Sequence, residues 1–480
     1  MYRLVLYGLI AITLYALALS ALGIIGLPFL GLIESLGLLL IACGISHYVL
    51  VWFFNAAASR ESVWITSLIL FLTIAPPTSV SEGMVIALTG ILAMTSKYVF
   101  AWRTKHVFNP AAISLLLISL LGSDMATWWV GTTFLAPIVA IVGLLIVRKI
   151  RRFDLLFAFL FSSTAVSIST AVVKQLTLSD TLLNFAISGP LIFFSTIMLT
   201  EPLTMPPSRG LRIVYGITIG TLFSSQFHNG ILSATPEFAL VVGNLYAYFV
   251  SSKQKLVLAL QKIEQLSANV YEFVFKPNEP LQFLPGQYME WTLPHTHADN
   301  RGNRRYFTIA SSPLDADIRL GVRIDPKSSS FKKALRSLPT EGTIVASSLS
   351  GDFTLPANKQ EKLVFIAGGV GITPFTSMLR TLIARQEKRN IILFYAAASA
   401  EDFAYHSLVE QAYRELGIKT IYISGQEKIT AELLQREVPD ASRRTFFISG
   451  PDGMVRAYKK FLADIGIPRR NIHTDYFPGF

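Results

Sequence analysis

Three side chains in one short extended segment, residues 304–313 (RRYFTIASSP), have the types that a flavin site requires. A flavin needs a cation for its diphosphate, a flat surface for its ring and a small hydroxyl near its reactive nitrogen. Arg305 offers a planar fork that donates two parallel hydrogen bonds to a phosphate. Because side chains alternate along a strand, Tyr306 and Thr308 point to the same face. The segment predicts a flavin-binding strand, with an ordinary strand as the alternative.

A second polar group follows in residues 328–338 (SSSFKKALRSL), which read as a helix that begins at hydroxyl side chains. Ser329 and Ser330 are helix-capping types, and free backbone N–H groups at a helix start attract phosphate. An ordinary helix cap has the same pattern and is the alternative. The position after residues 304–313 favours the phosphate interpretation.

A glycine-rich turn within residues 362–382 (KLVFIAGGVGITPFTSMLRTL) joins a buried strand to a helix. Gly368, Gly369 and Gly371 let backbone amides approach a diphosphate, and Pro374 suits the first helical turn. Further strands alternate with helices after this turn, at residues 390–399, 420–425 and 445–454. This alternation predicts a parallel α/β domain.

The residues considered so far all lie in the second half of the 480-residue chain. Residues 1–255 contain 14 Lys and Arg and 8 Asp and Glu, whereas residues 256–480 contain 28 and 23. The mean hydropathy is +0.48 and 52% of residues are hydrophobic, too apolar for an ordinary soluble protein. We therefore predict a membrane domain at 1–255, a flavin-binding β-barrel at 256–357 and a parallel α/β nucleotide-binding domain at 358–480.

Apolar runs in the first half predict a polytopic α-helical domain of about ten spans. They cover residues 4–24, 28–53, 62–76, 83–101, 109–122, 127–147, 154–173, 182–199, 211–226 and 236–251. If the N-terminus is cytoplasmic, 13 of the 14 basic residues lie on the inner side and only Lys174 lies outside. This asymmetry predicts a multi-pass protein of the cytoplasmic membrane with both termini in the cytoplasm.

Two segments of the first half resemble each other, residues 71–79 (FLTIAPPTS) and 197–208 (IMLTEPLTMPPS). Each has threonine and proline at the end of an apolar run. The similarity suggests two repeats of five spans, hence inverted, with a site near their interface; alternatively, the prolines merely end two spans. Polar residues at span ends in opposite repeats are the candidates for that site: Asn109, Thr200, Glu201 and Thr204.

The motifs HVFNPAA (106–112) and MLTEPLTMPPSRG (198–210) resemble the FMN-carrying membrane proteins of two related complexes, the sodium-translocating NADH:quinone reductase and the Rnf complex. The resemblance covers about residues 60–250 and implies an FMN, which those proteins typically carry on a threonine of an SGAT-like motif. The corresponding region here reads WWVGTT (128–133) and does not match it. We therefore expect a non-covalent FMN, held by the four candidate residues.

The second half resembles the ferredoxin–NADP reductase family over about residues 258–480. The motifs PGQY, RRYFT, SSSF, GDFTLP, AGGVGITP and ISGPDGM and a terminal aromatic occur in that order. The resemblance implies that Arg305 binds the FAD phosphate, Tyr306 packs on the isoalloxazine and Thr308 lies near N5. It also implies that Ser329 and Ser330 hold the diphosphate. The dinucleotide would be bound by Gly368, Gly369, Gly371, Thr373, Pro374, Gly450, Pro451 and Met454.

Three positions near the C-terminus bear on the predicted chemistry. Ser449 stands where the family usually has a cysteine that contacts nicotinamide, and Asp475 is the usual late acid. Phe480 replaces the terminal tyrosine that covers the flavin in many members. The resemblance thus implies catalytic roles for Thr308, Ser449 and Asp475. Ala398 stands where the family often has an arginine, and Lys428 is a candidate to reach the 2′-phosphate of NADPH instead, so NADH and NADPH both stay open.

These features predict a membrane enzyme that takes hydride from cytoplasmic NAD(P)H onto FAD. Electrons would pass through the membrane FMN to a quinone, an extracytoplasmic flavoprotein or a metal. The single cysteine, Cys43, excludes disulfides and cysteine-ligated metal clusters, and we predict no metal site and no nucleic-acid partner. The alternatives are a quinone reductase without transmembrane transfer and a transporter with a flavin sensor. A haem-containing reductase needs paired histidines, which His47, His106 and His228 do not form.

Overall fold

The computed structural model describes residues 2–54, 60–102, 105–187, 190–225, 227–229, 232–251, 255–296, 298–299, 302–425 and 427–477. Phe480, the predicted flavin cover, lies outside these residues. The chain forms two compact units, Met1–Ser251 and Ser252–Phe480. The first unit has a hydrophobic core of its own, and so does each half of the second.

The first unit is helical, with two short hairpins. Its helices are α1 Tyr2–Ala21, α2 Phe29–Phe54, α3 Arg60–Thr73, α4 Val80–Val99, α5 Pro110–Leu120, α6 Ala136–Ile150, α7 Phe153–Val173, α8 Leu178–Ile187, α9 Leu191–Phe193, α10 Arg209–Ser224 and α11 Pro236–Val250. Helix α9 continues as a π-helical turn, Phe194–Met198. The hairpins pair β1 (Ala101–Trp102) with β2 (Lys105–His106) and β3 (His228–Asn229) with β4 (Leu232–Ser233).

The number of long apolar helices is smaller than the sequence predicts. Among the described residues, three helices are long and apolar enough to cross a membrane: Arg3–Ala21, Phe29–Phe54 and Phe153–Val173. A bent pair, Leu178–Ala186 with Leu191–Met198, would be a fourth. A hydrocarbon core about 30 Å thick needs roughly 20 helical residues, and α3 and α5 have only 14 and 11. The prediction of about ten spans was therefore wrong by length and composition.

Backbone pairing explains why the predicted span at residues 62–76 is interrupted. Thr73 ends α3, and its carbonyl accepts hydrogen bonds from the N–H groups of Thr127 (3.0 Å) and Trp128 (2.9 Å). Ile74 forms an isolated antiparallel bridge with Ala126. The start of the predicted span at 127–147 is thus an irregular segment with turns that is hydrogen-bonded to the end of α3, and helix α6 begins only at Ala136. Apolar composition alone does not distinguish such a segment from a helix.

The two halves of the first unit have the same order of elements. In each half, a helix that ends in a Thr–Pro segment precedes a second helix, a two-stranded hairpin and a third helix. That third helix begins with a polar cap and a proline: Asn109 and Pro110 start α5, whereas Thr235 and Pro236 start α11. The two halves thus share an order of elements, and the inverted repeat of five spans stays a prediction.

The second unit begins with a six-stranded antiparallel sheet. Its strands are β5 Leu256–Gln265, β6 Val270–Pro277, β7 Tyr288–Thr292, β8 Arg304–Thr308, β9 Ile318–Arg323 and β10 Thr343–Ser350, in the order β8-β7-β10-β5-β6-β9. Helix α12 spans Ser330–Arg336. The two edges approach each other where Ala310 N–H donates to the Arg319 carbonyl (2.8 Å), so the sheet curves into the predicted barrel.

A parallel sheet follows, with strand order β13-β12-β11-β14-β15. Its strands are β11 Leu363–Gly368, β12 Ile391–Ala397, β13 Lys419–Ser424, β14 Thr445–Pro451 and β15 Ile472–Phe477, and its helices are α13 Thr373–Ala384, α14 His406–Leu416, α15 Ala431–Glu437 and α16 Asp452–Asp464. Every residue of β11 is buried, which is typical of a central parallel strand with both faces covered. The predicted α/β domain is present.

Candidate functional site

The predicted flavin strand is β8, which pairs with β7 so that Tyr306 lies opposite Glu290. The Tyr306 ring is 54% exposed, and its hydroxyl donates to Glu290 Oε2 (2.7 Å). Thr308 is buried two residues further on, and the strand's alternation places it on the same face. The strand thus presents a flat ring to solvent beside a buried hydroxyl, as a flavin site requires.

Glu290 is a site residue that the sequence reasoning missed. Its carboxylate is almost fully buried and accepts hydrogen bonds from the Tyr306 hydroxyl and from Arg304 (3.3 Å). The available signal was an acid inside the apolar strand segment YMEWT. Because a buried carboxylate needs partners, Glu290 fixes the orientation of the Tyr306 ring.

Arg305 and the start of α12 already hold an anion in this structure. The Arg305 guanidinium lies over the Phe331 ring, 5.3 Å from its centroid. One oxygen of Asp299 accepts from Arg305 (3.3 Å), and the other accepts from the Ser330 backbone N–H (3.0 Å). Ser329 caps the helix. A carboxylate therefore stands where the resemblance expects the FAD diphosphate, which shows that these donors converge on one anion.

Replacing Arg305 by alanine is expected to weaken FAD binding about 10- to 100-fold. Hydrogen bonds to a charged group contribute about 1.5–3 kcal/mol, and each 1.4 kcal/mol is a factor of about ten in affinity. Titration of FAD-depleted protein with FAD measures the change. Arg323→Ala is the control, since Arg323 is half exposed and pairs with Asp325. Equal FAD affinities in the two variants would contradict the assignment.

The glycine turn packs directly against the end of β14. A Cβ on Gly371 would lie 2.5 Å from both the Gly450 Cα and the Ser449 carbonyl oxygen. A Cβ on Gly368 would lie 2.2 Å from the Met454 sulfur. Gly369 has φ +53°, a conformation that glycine adopts at low cost. The glycines are thus required by close packing as well as by access to a ligand.

Helix α13 starts directly after this turn. The Thr373 hydroxyl donates to the Val370 carbonyl (3.1 Å), and Pro374 occupies the first helical turn. The sequence places these residues correctly at a helix N-terminus, where backbone N–H groups are free to bind phosphate.

Ser449 provides a buried polar group suited to a ligand. Its side chain is fully buried, and its hydroxyl has no hydrogen-bond partner among the described residues. It lies at the carboxyl end of β14, opposite Asp475 of β15 in the parallel register. Pro451 and Met454 follow it on the chain. Because buried hydroxyls in folded proteins are normally paired, this hydroxyl fits the carboxamide of a nicotinamide bound at the end of the sheet.

The candidate residues of the first unit form a hydrogen-bonded cluster. Glu201 accepts from the Asn109 side-chain amide (2.9 Å) and from the Thr204 hydroxyl (3.2 Å), and it pairs with His106 (3.1 Å). Thr200 is buried, but its hydroxyl donates to the Thr196 carbonyl (2.8 Å) rather than to the cluster. The structure thus joins three of the four residues directly.

Two further polar residues belong to this cluster and were missed. The Asn244 amide accepts from the Asn109 backbone N–H (2.7 Å) and donates to the Tyr215 hydroxyl (3.1 Å). Both side chains are fully buried. The signal was an asparagine within the apolar helix α11, where a buried amide must have partners.

A cleft adjoins this cluster and receives residues from both halves of the first unit. Its cavity volume is about 50 Å³. The polar lining residues are Ser62, Thr66, Asn109, Thr200 and Glu201. The remaining wall is apolar and consists of Val5, Ile65, Ile69, Pro110, Ala111, Ile146, Ile197 and Pro202. An apolar cleft with a few convergent polar groups is typical of a small-molecule site.

Comparison with known proteins concerns the reductase chemistry. Residues 365–460 match the family described as "Oxidoreductase NAD-binding domain". The chain is 27% identical over 243 residues to a flavohemoprotein of Bacillus cereus, covering 46% of this chain and 60% of that protein. For flavohemoprotein A of Dictyostelium discoideum the identity is 24% over 233 residues, covering 45% and 58%.

A solved structure that the chain matches is the FAD/NAD binding domain of nitric oxide dioxygenase from Vibrio cholerae. It has 21% sequence identity and a TM-score of 0.42, and covers 46% of this chain and 98% of that domain. The chain spans at most 60% of the length of the two flavohemoproteins.

The family match and the curated relatives agree with the site geometry in the second unit. An NAD(P)H-dependent flavin oxidoreductase that binds FAD and NAD(P)H is therefore the prediction that these matches support for the chain. The resemblance of the first unit to FMN-carrying membrane proteins, its FMN and the roles of the individual residues stay predictions.

Proposed function

We propose that this protein oxidises NAD(P)H at its second unit and passes electrons through an FMN of its first unit to an acceptor in or across a membrane. The observation that carries the proposal is a pair of complementary sites on one compact unit. The first site is the anion site at Arg305 and Ser330, which lies beside the Tyr306 ring. The second is the glycine turn, which lies next to the unpaired Ser449 hydroxyl.

Each element of the second unit has a separate task in this proposal. Arg305 and the α12 N-terminus hold the diphosphate of FAD, and Glu290 keeps the Tyr306 ring in the plane that supports the isoalloxazine. The turn at Gly371 holds the dinucleotide, and Ser449 orients the nicotinamide by a hydrogen bond. Bound FAD supplies the conversion between two-electron and one-electron chemistry.

The first unit supplies the path for electrons beyond FAD. Three apolar helices of membrane-spanning length support a membrane location, with both termini in the cytoplasm as the basic residues indicate. A hydrocarbon core of about 30 Å is too thick for one useful electron hop. The cleft beside Asn109 and Glu201 is our candidate site for an FMN within it. Protein recovered in the soluble fraction without detergent would contradict this location.

Flavin content tests the proposal most directly. We expect purified full-length protein to contain one FAD and one FMN per chain, measured by extraction and chromatography against protein concentration. Asn109→Ala should lower the FMN content because it removes a hydrogen bond to Glu201 at the cleft, and Thr200→Val should do so by removing a hydroxyl from its wall. Both variants should keep FAD and NAD(P)H–ferricyanide activity.

Protein with FAD alone, at one per chain, would overturn transmembrane transfer. Reduction of a quinone at the cytoplasmic face would then be the better account. Undetectable NAD(P)H oxidation with any acceptor would instead favour a transporter with a flavin sensor.

A further inference from the structure

One face of helix α13 is hydrogen-bonded to the segment that follows the flavin strand β8. The Ser377 hydroxyl donates to the Ser311 carbonyl (2.7 Å), and the Thr381 and Ser312 hydroxyls share a hydrogen bond (3.1 Å). All four residues are 2% exposed or less. Because residues four apart on a helix lie on the same face, Ser377 and Thr381 form one row of contacts along α13.

A third residue of the same face extends this row. Arg380 Nη1 donates to the Ala310 carbonyl (3.0 Å), so each of residues 310–312 is held by a side chain of α13. We call Ser377, Arg380 and Thr381 the α13 clamp. Apolar contacts have no preferred direction, whereas hydrogen bonds to buried backbone carbonyls fix the register of the helix against the strand end.

The clamp lies between the two predicted sites of the reductase chemistry. Thr308, which the resemblance places near the flavin N5, comes three residues before Ser311. Thr373 begins α13 at the glycine turn, four residues before Ser377, which is roughly 6 Å along a helix. One turn of helix and a few residues of the strand end therefore connect the two sites through the clamp.

We propose that Ser377, Arg380 and Thr381 are positioning residues for hydride transfer. The transfer moves one proton and two electrons from the nicotinamide C4 to the flavin N5, and such atoms must approach to about 3–3.5 Å. A displacement of about 1 Å costs such a step about a hundredfold in rate. The clamp holds the glycine turn at a fixed distance from the flavin strand. This inference rests on the proposed NAD(P)H–FAD chemistry and requires no flavin in the first unit.

Stopped-flow reduction of bound FAD by NADH and by NADPH separates positioning from binding. The protein is full-length and saturated with FAD. In Thr381→Val, which keeps the side-chain shape and removes the hydroxyl, we expect the limiting rate to fall about tenfold, with the Kd of the dinucleotide within about twofold. Ser377→Ala should behave likewise. Reoxidation of dithionite-reduced FAD by ferricyanide should not change, because it requires no nicotinamide.

Thr376→Val is the matched control. Thr376 is also fully buried on α13, but its hydroxyl donates to the Ile372 carbonyl one turn earlier (3.1 Å). Its limiting rate should therefore equal that of the unaltered protein. Thr381→Ser keeps the hydroxyl and should restore most of the rate that Thr381→Val loses.

Amide hydrogen exchange of FAD-depleted protein tests the clamp without catalysis. The backbone N–H groups of residues 309–315 should exchange faster in Ser377→Ala and Thr381→Val than in Thr376→Val. The reason is that local opening costs less where a buried contact has been removed. This measurement decides the question for a variant that does not retain FAD, and equal exchange in all three variants would contradict the clamp.

The outcomes distinguish this inference from the proposed function. Unchanged limiting rates in Ser377→Ala and Thr381→Val would overturn the positioning role and leave NAD(P)H oxidation intact. An equal loss of rate in Thr376→Val would do the same, because any weakening of α13 would then suffice. If neither NADH nor NADPH reduces the FAD of the unaltered protein, both proposals fail.

Discussion

Replacing Gly371 by alanine is expected to lower NAD(P)H oxidation on the order of a hundredfold, which corresponds to about 2.7 kcal/mol of lost transition-state stabilisation. The new Cβ would meet backbone atoms of Ser449 and Gly450 at 2.5 Å. Backbone cannot rotate away as a long side chain does, so the turn must separate from β14. That separation moves the backbone amides of the turn, which bind the dinucleotide, away from the Ser449 hydroxyl. These amides and the hydroxyl together form the predicted nicotinamide site.

FAD should be unaffected by this change, because its predicted ligands lie on β8 and α12. The measurement is ferricyanide reduction with NADH and with NADPH, alongside the FAD content of the same preparation. Gly417→Ala is the control: Gly417 has φ +73° and caps α14 at the opposite edge of the parallel sheet. It introduces left-handed strain of about 1–2 kcal/mol away from the site. Normal NADH oxidation in Gly371→Ala would exclude the turn from the site.

Local sequence predicted the residues of the second unit whose roles depend on their immediate neighbours. Alternation placed Tyr306 and Thr308 on one face, and the glycine spacing placed Gly371 in a strand-to-helix turn. Glu290 and Asp299 were missed because their roles depend on pairing across the chain. Glu290 meets Tyr306 through strand register 16 residues away, and Asp299 meets Ser330 31 residues away. Neither separation leaves a periodic signal.

The first unit shows the limit of hydropathy more strongly. An apolar run shows only that a segment favours an apolar environment over water. A membrane span also requires an unbroken helix of sufficient length. The run at residues 62–76 contains a helix that ends at Thr73. Polar residues at run ends were more informative, because Asn109 and Glu201 lie 92 residues apart in sequence and are hydrogen-bonded in the structure.

A buried carboxylate joins the two halves of the second unit. Glu272 of β6 is 1% exposed, and it accepts from Arg319 of β9 (2.9 Å) and from Arg380 of α13 (3.1 Å). Arg380 also donates to the Ala310 carbonyl, just after the flavin strand (3.0 Å). Burial raises the pKa of the Tyr405 phenol, and the nearby Glu272 carboxylate raises it further. Tyr405 therefore stays neutral and does not compete with Glu272 for the arginines.

Replacing Glu272 by glutamine is therefore expected to destabilise the second unit by about 3–5 kcal/mol, since two arginines lose the buried anion that they share. For a unit of this size, 1 kcal/mol shifts the melting temperature by about 2–4 °C, so the shift should be on the order of 10 °C. Release of FAD fluorescence during heating of the full-length protein measures it. Because α13 begins at the glycine turn, NADH reduction of the bound FAD should slow below the melting transition.

Glu437→Gln is the matched control for this prediction. Glu437 also pairs with two basic residues, Lys419 and Arg436, but both of these are largely exposed. Exposed pairs contribute about 0–1 kcal/mol, so its melting temperature should change by about 2 °C or less. If the melting temperature of Glu272→Gln equals that of Glu437→Gln, then Arg319 and Arg380 are stabilised without the carboxylate. In that case the position of α13 against the flavin strand would depend on its other contacts alone.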